Sequence, residues 1–275
     1  MNTVKMKKEI GTKKEIGIGK EGEIGKESDI KKGLFVGVGV GPGDPELITL
    51  KAQRFIQQAD VISYLCNENG QSQAKTIAAE IIATSTRTDQ QFLPVLMPMS
   101  ENRDQANQAY DKAIEAILGF LALGKTVAFL CEGDPLFFGS FAYLLERLQR
   151  EDIQYNCEIV PGISSVHAAA SALQSPLTML KESFAVMSGR HSDEQLVRAL
   201  QQHDSVVIMK AGQSRVKIIQ ALEKTNRIDD ANYLEYVGRE QEKMVRDIRQ
   251  LSKEAGPYFS LFVVTKSATN RSSSG

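Results

Sequence analysis

Residues 34–45, Leu-Phe-Val-Gly-Val-Gly-Val-Gly-Pro-Gly-Asp-Pro, decide the fold class. An apolar, β-prone run passes directly into a loop of glycines, two prolines and one acid. The glycines at 37, 39, 41 and 43 remove every second side chain, which lets another backbone or a ligand come close. Pro42 and Pro45 fix φ and stiffen the turn. Asp44 precedes residues 46–52, Glu-Leu-Ile-Thr-Leu-Lys-Ala, which read as the start of a helix with an acid in its first turn. A stiff strand-to-helix turn of small residues is where open α/β sheets place ligands. The plain alternative is a tight turn in a βα unit. Two better-known glycine motifs are excluded. The third glycine of a dinucleotide fingerprint would fall on Pro42 or Asp44, and no Gly-Lys-Ser/Thr ending follows for a phosphate loop.

Outward from this loop the chain alternates strands and helices. Strands are expected at 34–40, 61–66, 93–97, 126–131 and 155–160, with helices over 47–59, 74–82, 106–121, 138–148 and 166–172. This is an α/β pattern with a largely parallel sheet. Further on, strands are expected at 184–188, 205–210, 233–237 and 259–265, with helices at 194–201 and 214–224. Residues 240–251 read either as a helix or as a strand through 244–248. The fold class expected is α/β, as two α/β domains: an N-terminal one over 33–172 and a C-terminal one with a mixed sheet over 173–266. Residues 1–32 repeat Glu-Ile-Gly at 9–11, 15–17 and 23–25 among lysines and glutamates, and 267–275 end in Arg-Ser-Ser-Ser-Gly. Both are expected to be disordered tails, because they bury too little to offset the entropy of ordering.

Composition narrows the function. The chain has 275 residues, 42% apolar content and a net charge of −1, with no basic stripe and no Trp, which argues against nucleic-acid binding. No apolar run has the length of a membrane span, and the basic N-terminus lacks the apolar core of a secretory signal. Cys66, Cys131 and Cys157 are odd in number and widely spaced, so neither a disulfide framework nor a metal site is indicated. A cytoplasmic setting is the expectation.

Two further loops repeat the design of the first. Residues 126–131 run into Glu132-Gly-Asp-Pro-Leu-Phe-Phe-Gly-Ser140 and then a helix. Gly133 admits a ligand to the backbone, and Asp134 accepts hydrogen bonds from hydroxyls or an amine or, alternatively, caps the next helix. After 155–160 comes Pro161-Gly-Ile-Ser-Ser165, where Ser164 or Ser165 either faces a ligand or serves as the N-cap. In an open sheet such loops line one edge. His167, His191 and His203 have no acid or cysteine at metal or triad spacing. No Gly-x-Ser-x-Gly elbow is present, which excludes the usual serine hydrolase design.

Assembled, these loops resemble the tetrapyrrole methyltransferase family over about residues 33–266. The resemblance is carried by residues 38–50, Glu132-Gly-Asp-Pro135, Pro161-Gly-Ile-Ser-Ser165 and Val207-Ile-Met-Lys210. Met97-Pro-Met99, Tyr236-Val-Gly-Arg239 and residues 257–264 are similar to the branch that methylates precorrin-2 at C-20. The chain departs from that branch at Phe138-Gly-Ser140 and at Gly238.

The resemblance implies S-adenosylmethionine as methyl donor, held in a cleft between two domains, and a homodimer. It implies cofactor contacts from Pro42, Glu132, Gly133, Asp134, Phe137, Ser164, Ser165 and Met209, with another from Arg239 or Glu240. A precorrin carries many carboxylates, so Lys210, Arg190 and Arg246 are candidate substrate contacts. Asp44 is the candidate catalytic group, orienting the macrocycle or accepting a proton. The resemblance leaves open another ring position, uroporphyrinogen, or a non-catalytic binding protein.

Overall fold

The computed structural model describes residues 32–98, 103–150 and 155–266. Apart from Lys32, the two expected tails lie outside the described residues.

The first sheet consists of β1 (Leu34–Gly39), β2 (Val61–Cys66), β3 (Gln91–Leu96), β4 (Thr126–Cys131) and β5 (Asn156–Val160). All are parallel, in the order β3-β2-β4-β1-β5. Between them run α1 (Leu50–Gln58), α2 (Gln73–Ile77), α3 (Ala79–Ala83), α4 (Arg103–Ala122) and α5 (Phe141–Leu148). Helices cover both faces, which explains why these strands are nearly continuous apolar runs. On one face Val36, Val38, Ile62 and Tyr64 pack with Ile56 of α1 and Ile77 of α2. On the other, Phe35, Val61, Val127 and Phe129 pack with Ile114 and Ile117 of α4 and Phe141 of α5. The strand alternation would put a side chain at Gly37 on this second face. A Cβ there would lie 2.6 Å from the Phe141 ring, which fills that space and stacks on Phe35 at 5.1 Å.

The chain crosses through α6 (Ser165–Leu173) to a second, mixed sheet. Its strands are β6 (Phe184–Ser188), β7 (Ser205–Met209), β8 (Ala231–Glu235), β9 (Lys243–Val245) and β10 (Ser260–Val264), in the order β6-β7-β10-β8-β9. Only β6 and β7 are parallel, joined by α7 (Asp193–Gln202). Together α7 and α8 (Arg215–Lys224) cover one face, with Leu196, Leu200, Ile218 and Leu222 against Ile208 and Phe262. The other face is covered by α6, whose Val166, Ala169 and Leu173 meet Val207, Leu234 and Leu261. A helix that follows the first sheet in the chain thus provides a layer of the second.

The local departures have physical causes. The helix expected over 47–59 begins at Leu50, because Asp44 Oδ1 accepts Glu46 N and closes a separate 3₁₀ turn, Pro45–Leu47. Thr49 Oγ1 then caps α1 by accepting Ala52 N. The helix expected over 74–82 is broken at Ala78 into α2 and α3. The one expected over 138–148 starts only at Phe141, since Phe138 takes the left-handed conformation, φ 55°. Residues 240–251 contain the edge strand β9, paired antiparallel with β8, and a 3₁₀ turn, Ile248–Gln250.

Candidate active site

Strands β4, β1 and β5 are neighbours in the first sheet, so the three glycine/proline loops emerge side by side at its carboxyl edge. They are locked together by backbone. Gly133 N donates to Gly41 O at 2.7 Å, and Gly41 N returns the bond at 3.4 Å. Gly41 and Gly133 both have left-handed φ, 78° and 65°, which suits glycine. A Cβ at Gly162 would lie 2.0 Å from Gly133 O, and one at Gly39 would lie 2.6 Å from Gly162. Most of these glycines therefore serve the approach of another loop, the first of the two uses the sequence allowed. Gly133 differs: a Cβ there would meet nothing closer than 3.8 Å. It is the open floor of the cluster.

Asp134 is committed to this packing. Its Oδ1 accepts Leu136 N at 2.9 Å and its Oδ2 accepts Gly162 N at 3.1 Å, tying the β4 loop to the β5 loop. It does not cap α5, seven residues on. Ser164 occupies the N-cap position of α6, but its hydroxyl does not bond the helix amides. It lies 2.8 Å from His167 Nδ1, while Ser165 is the first residue of α6.

The second sheet brings its own residues to this edge. Met209 ends β7, and with Phe137 of the β4 loop it packs on the apolar cluster between α6 and the second sheet. Lys210 follows with φ 55°, and its Nζ donates to Phe138 O at 3.3 Å. Arg239, in the turn after β8, reaches across to the first sheet. Its Nε donates to Pro42 O at 3.2 Å, one Nη donates to Gln73 Oε1 at 2.9 Å, and the other is 3.5 Å from a Glu132 carboxylate oxygen. Its guanidinium stands 4.1 Å above the Phe259 ring, a favourable cation–π distance. A side chain at Gly43 would collide with Arg239 Cγ, at 2.4 Å.

The pair between Glu132 and Arg239 is enclosed more than it is compensated. Burial raises the Glu132 carboxyl above its ordinary value, opposed by the charge and hydrogen bond of Arg239. Burial also lowers the Arg239 guanidinium, opposed by Glu132. Desolvation is the leading cause on both sides. The sign follows by linkage. A carboxyl with a raised folded value costs stability while ionised, and that cost shrinks as pH falls through the folded value. Glu132→Gln is therefore expected to be more stable than the parent at pH 8, with the gap narrower at pH 5 and gone only below the ordinary glutamate range. Urea unfolding of both proteins at the two pH values measures it, and a gap that widens toward pH 5 would contradict the assignment.

The structure thus brings together Pro42, Glu132, Gly133, Asp134, Phe137, Ser164, Met209, Lys210 and Arg239, with Ser165 next to them. Asp44 stands at the edge of the cluster, against Gly238 in the Arg239 turn, whereas Glu240, Arg246 and Arg190 are not brought in. The Glu240 side chain is exposed and makes no bond to the cluster; Glu242, two residues on, accepts Gly238 N instead. Arg246 follows the edge strand β9 in a surface recess with Met244, Asp247 and Gln250. Arg190 is exposed in the turn after β6, beside the Lys210 backbone, through Gly189. Sequence reasoning missed Gln73 as an Arg239 partner and read His167 as bland, although its three-residue spacing from Ser164 spans one helix turn. Phe138 and Tyr258, the rings beside Lys210, carried no spacing signal.

Comparison with known proteins agrees with this geometry. Residues 34–251 match the family model of tetrapyrrole (corrin/porphyrin) methylases. The precorrin-2 C(20)-methyltransferase of a Sinorhizobium species is 33% identical over 240 residues, covering 84% of this chain and 95% of that protein. The cobalt-precorrin-2 C(20)-methyltransferase of Salmonella typhimurium is 28% identical over 236 residues, covering 85% and 97%. The crystal structure of uroporphyrin-III C-methyltransferase from Thermus thermophilus, complexed with S-adenosylhomocysteine, shares the fold with a TM-score of 0.59 at 22% identity, covering 85% and 97%. The chain belongs to the tetrapyrrole methylase family, and its two-sheet α/β architecture is that family's. Among the described residues, no helix is long and apolar enough to cross a membrane.

Proposed function

We propose that this chain transfers a methyl group from S-adenosylmethionine to C-20 of precorrin-2 or cobalt-precorrin-2. The observation that carries the reading is the stack of three loops at β4, β1 and β5, in a chain that aligns over 95% of a precorrin-2 C(20)-methyltransferase. Incubation with labelled S-adenosylmethionine and a panel of precorrins, followed by mapping of the methylated carbon, tests it. Methylation at another carbon, or of uroporphyrinogen alone, would replace the substrate. Binding without turnover would make the chain a carrier.

The residues present fit such a donor. Gly133 offers backbone with open space above it, Ser164 offers a buried hydroxyl, and Phe137 and Met209 offer an apolar wall. The donor supplies an already activated methyl group on a sulfonium. What remains for the protein is to position the reactants and exclude water. In this reading Pro42 and the Gly133 backbone form the floor, and Ser164 and Ser165 present hydroxyls. The halves 33–172 and 173–266 form the two walls. Glu132 lends negative charge toward a cationic donor, held in place by Arg239. In this reading Lys210 meets a carboxylate of the substrate, and Arg190 stays outside the cluster in the turn after β6. We extend the reading to a homodimer, which light scattering tests, and to a cytoplasmic setting, in keeping with three free cysteines.

Asp44 is the remaining candidate for handling a proton or orienting the macrocycle. Its Oδ1 already closes the 3₁₀ turn at Glu46 N, a task that asparagine performs equally well. Under the catalytic reading, Asp44→Asn lowers kcat by about tenfold or more while S-adenosylhomocysteine affinity stays put. Single-turnover kinetics with saturating substrate decides, and an unchanged rate leaves Asp44 with its turn alone.

A further inference from the structure

Lys210 and Phe138 come from different sheets, and both hold a φ of 55°, a region that residues with side chains seldom occupy. They hold it while touching: Lys210 Nζ donates to Phe138 O at 3.3 Å. The same ammonium lies 5.9 Å from the centre of the Phe138 ring and 5.5 Å from that of Tyr258. Both rings are unusually open for aromatic side chains, 40% exposed for Phe138 and 51% for Tyr258. An ammonium has three donors. Here one meets a carbonyl, and no carboxylate among the described residues lies within ion-pair distance of it. The result is a cation flanked by two open rings.

Tyr258 is carried by an anchored segment. Buried Arg215 donates from one Nη to Ser252 O and Glu254 O, at 3.1 and 3.0 Å. Its other Nη bonds Tyr233 and Glu235. Gly256 N donates to Gly212 O, and a Cβ at Gly212 would lie 2.2 Å from Pro257 O. The edge-on contact of Tyr258 with Phe259, at 5.2 Å, continues toward the Arg239 guanidinium over Phe259. The ring is therefore held in place beside the loop cluster and remains open to a ligand.

We propose that Phe138, Lys210 and Tyr258 form a docking platform for one edge of the tetrapyrrole macrocycle. The rings lie against its conjugated face, and Lys210 Nζ pairs with one of its peripheral carboxylates. The assignment rests on the methyltransferase reading above and adds to it the residues that recognise the substrate. Lys210 Nζ feels the charge of Glu132 but forms no ion pair with it. A sulfonium donor gains nothing from an ammonium beside its positive charge, whereas a conjugated polycarboxylate matches both parts of the platform.

The test is equilibrium binding of precorrin-2, followed by its absorbance change and so independent of turnover, alongside calorimetry with S-adenosylhomocysteine. Lys210→Gln and Tyr258→Ala are each expected to weaken macrocycle binding by about tenfold, with Tyr258→Phe within about twofold of the parent. Lys210→Gln also flattens the salt dependence of binding, and S-adenosylhomocysteine affinity stays unchanged in all three. Unchanged macrocycle affinity in Lys210→Gln and Tyr258→Ala overturns the platform. A matching loss of S-adenosylhomocysteine affinity also overturns it, by placing the trio in the donor pocket. Sedimentation showing that Tyr258→Ala separates two copies of the chain would reassign the rings to an interface. Failure of the parent to methylate any tetrapyrrole, with macrocycle binding and its loss in the variants intact, would sink the methyltransferase reading and leave the platform standing.

Discussion

Replacing Asp134 with alanine is expected to weaken S-adenosylhomocysteine binding by about ten- to hundred-fold, the usual consequence of losing charge-assisted hydrogen bonds worth ~1.5–3 kcal/mol. The route is structural. Each carboxylate oxygen holds one backbone amide, Leu136 N within the β4 loop and Gly162 N in the β5 loop. Without them the two loops lose their register, and Gly133 loses its place between them. A fall in melting temperature should accompany the loss. Asp134→Asn is informative because its amide keeps a single acceptor oxygen and turns an NH₂ toward one of the two N–H donors. It should fall between the parent and alanine. Calorimetry that finds full affinity in folded Asp134→Ala would remove the residue from the site altogether.

Arg239→Met should show the other large effect. The guanidinium joins three separate parts of the first sheet's edge, at Pro42, Gln73 and Glu132, and its flat face rests on Phe259. Its removal leaves Glu132 enclosed without its ion-pair partner, and breaking such a pair costs more than the pair itself contributes. We expect a loss of ~2 kcal/mol, about 4–8 °C in melting temperature for a chain of this size, and a fall in kcat/KM of about tenfold or more. Arg239→Lys should recover little, because a single ammonium cannot serve a carbonyl, an amide and a carboxylate from one plane. Coupling is checked with Glu132→Gln: in that background Arg239→Met should cost less stability than it does in the parent. Strict additivity, or a melting temperature that does not move in Arg239→Met, would show that the two halves are joined by other contacts.

The elements most legible in the sequence were those whose signal is local. The runs at 61–66, 126–131 and 184–188 coincide with β2, β4 and β6, because each is a mostly apolar stretch bounded by polar or glycine residues. The break at Ala78 had no such mark: Ala74 through Ile82 holds one apolar face, and no glycine or proline stands at the interruption. A three-residue edge strand such as β9 is shorter than the roughly four to eight residues over which alternation can be read. The same division runs through the site. The three loops could be read from their glycines, prolines and acids, and the topology places them on adjacent strands. Arg239 was expected near the donor, but its contact with Pro42 spans 197 positions of sequence, and nothing local encodes it. Asp134 could be read as an acceptor; that its partners would be backbone amides depended on Gly162, from another loop.

The stacked glycines also determine what such a sequence can reveal about its substrate. Gly39 and Gly162 are fixed by contacts between loops, with no room for even a methyl group. Any chain that assembles this edge must keep them, whatever macrocycle it acts on. Their presence is therefore a fingerprint of construction and says nothing about chemistry. Two enzymes that methylate different carbons would carry the same glycines and would diverge in the side chains that ring the floor. For sorting relatives by substrate, the informative columns are those of Phe138, Lys210 and Tyr258, which the scaffold leaves free to vary.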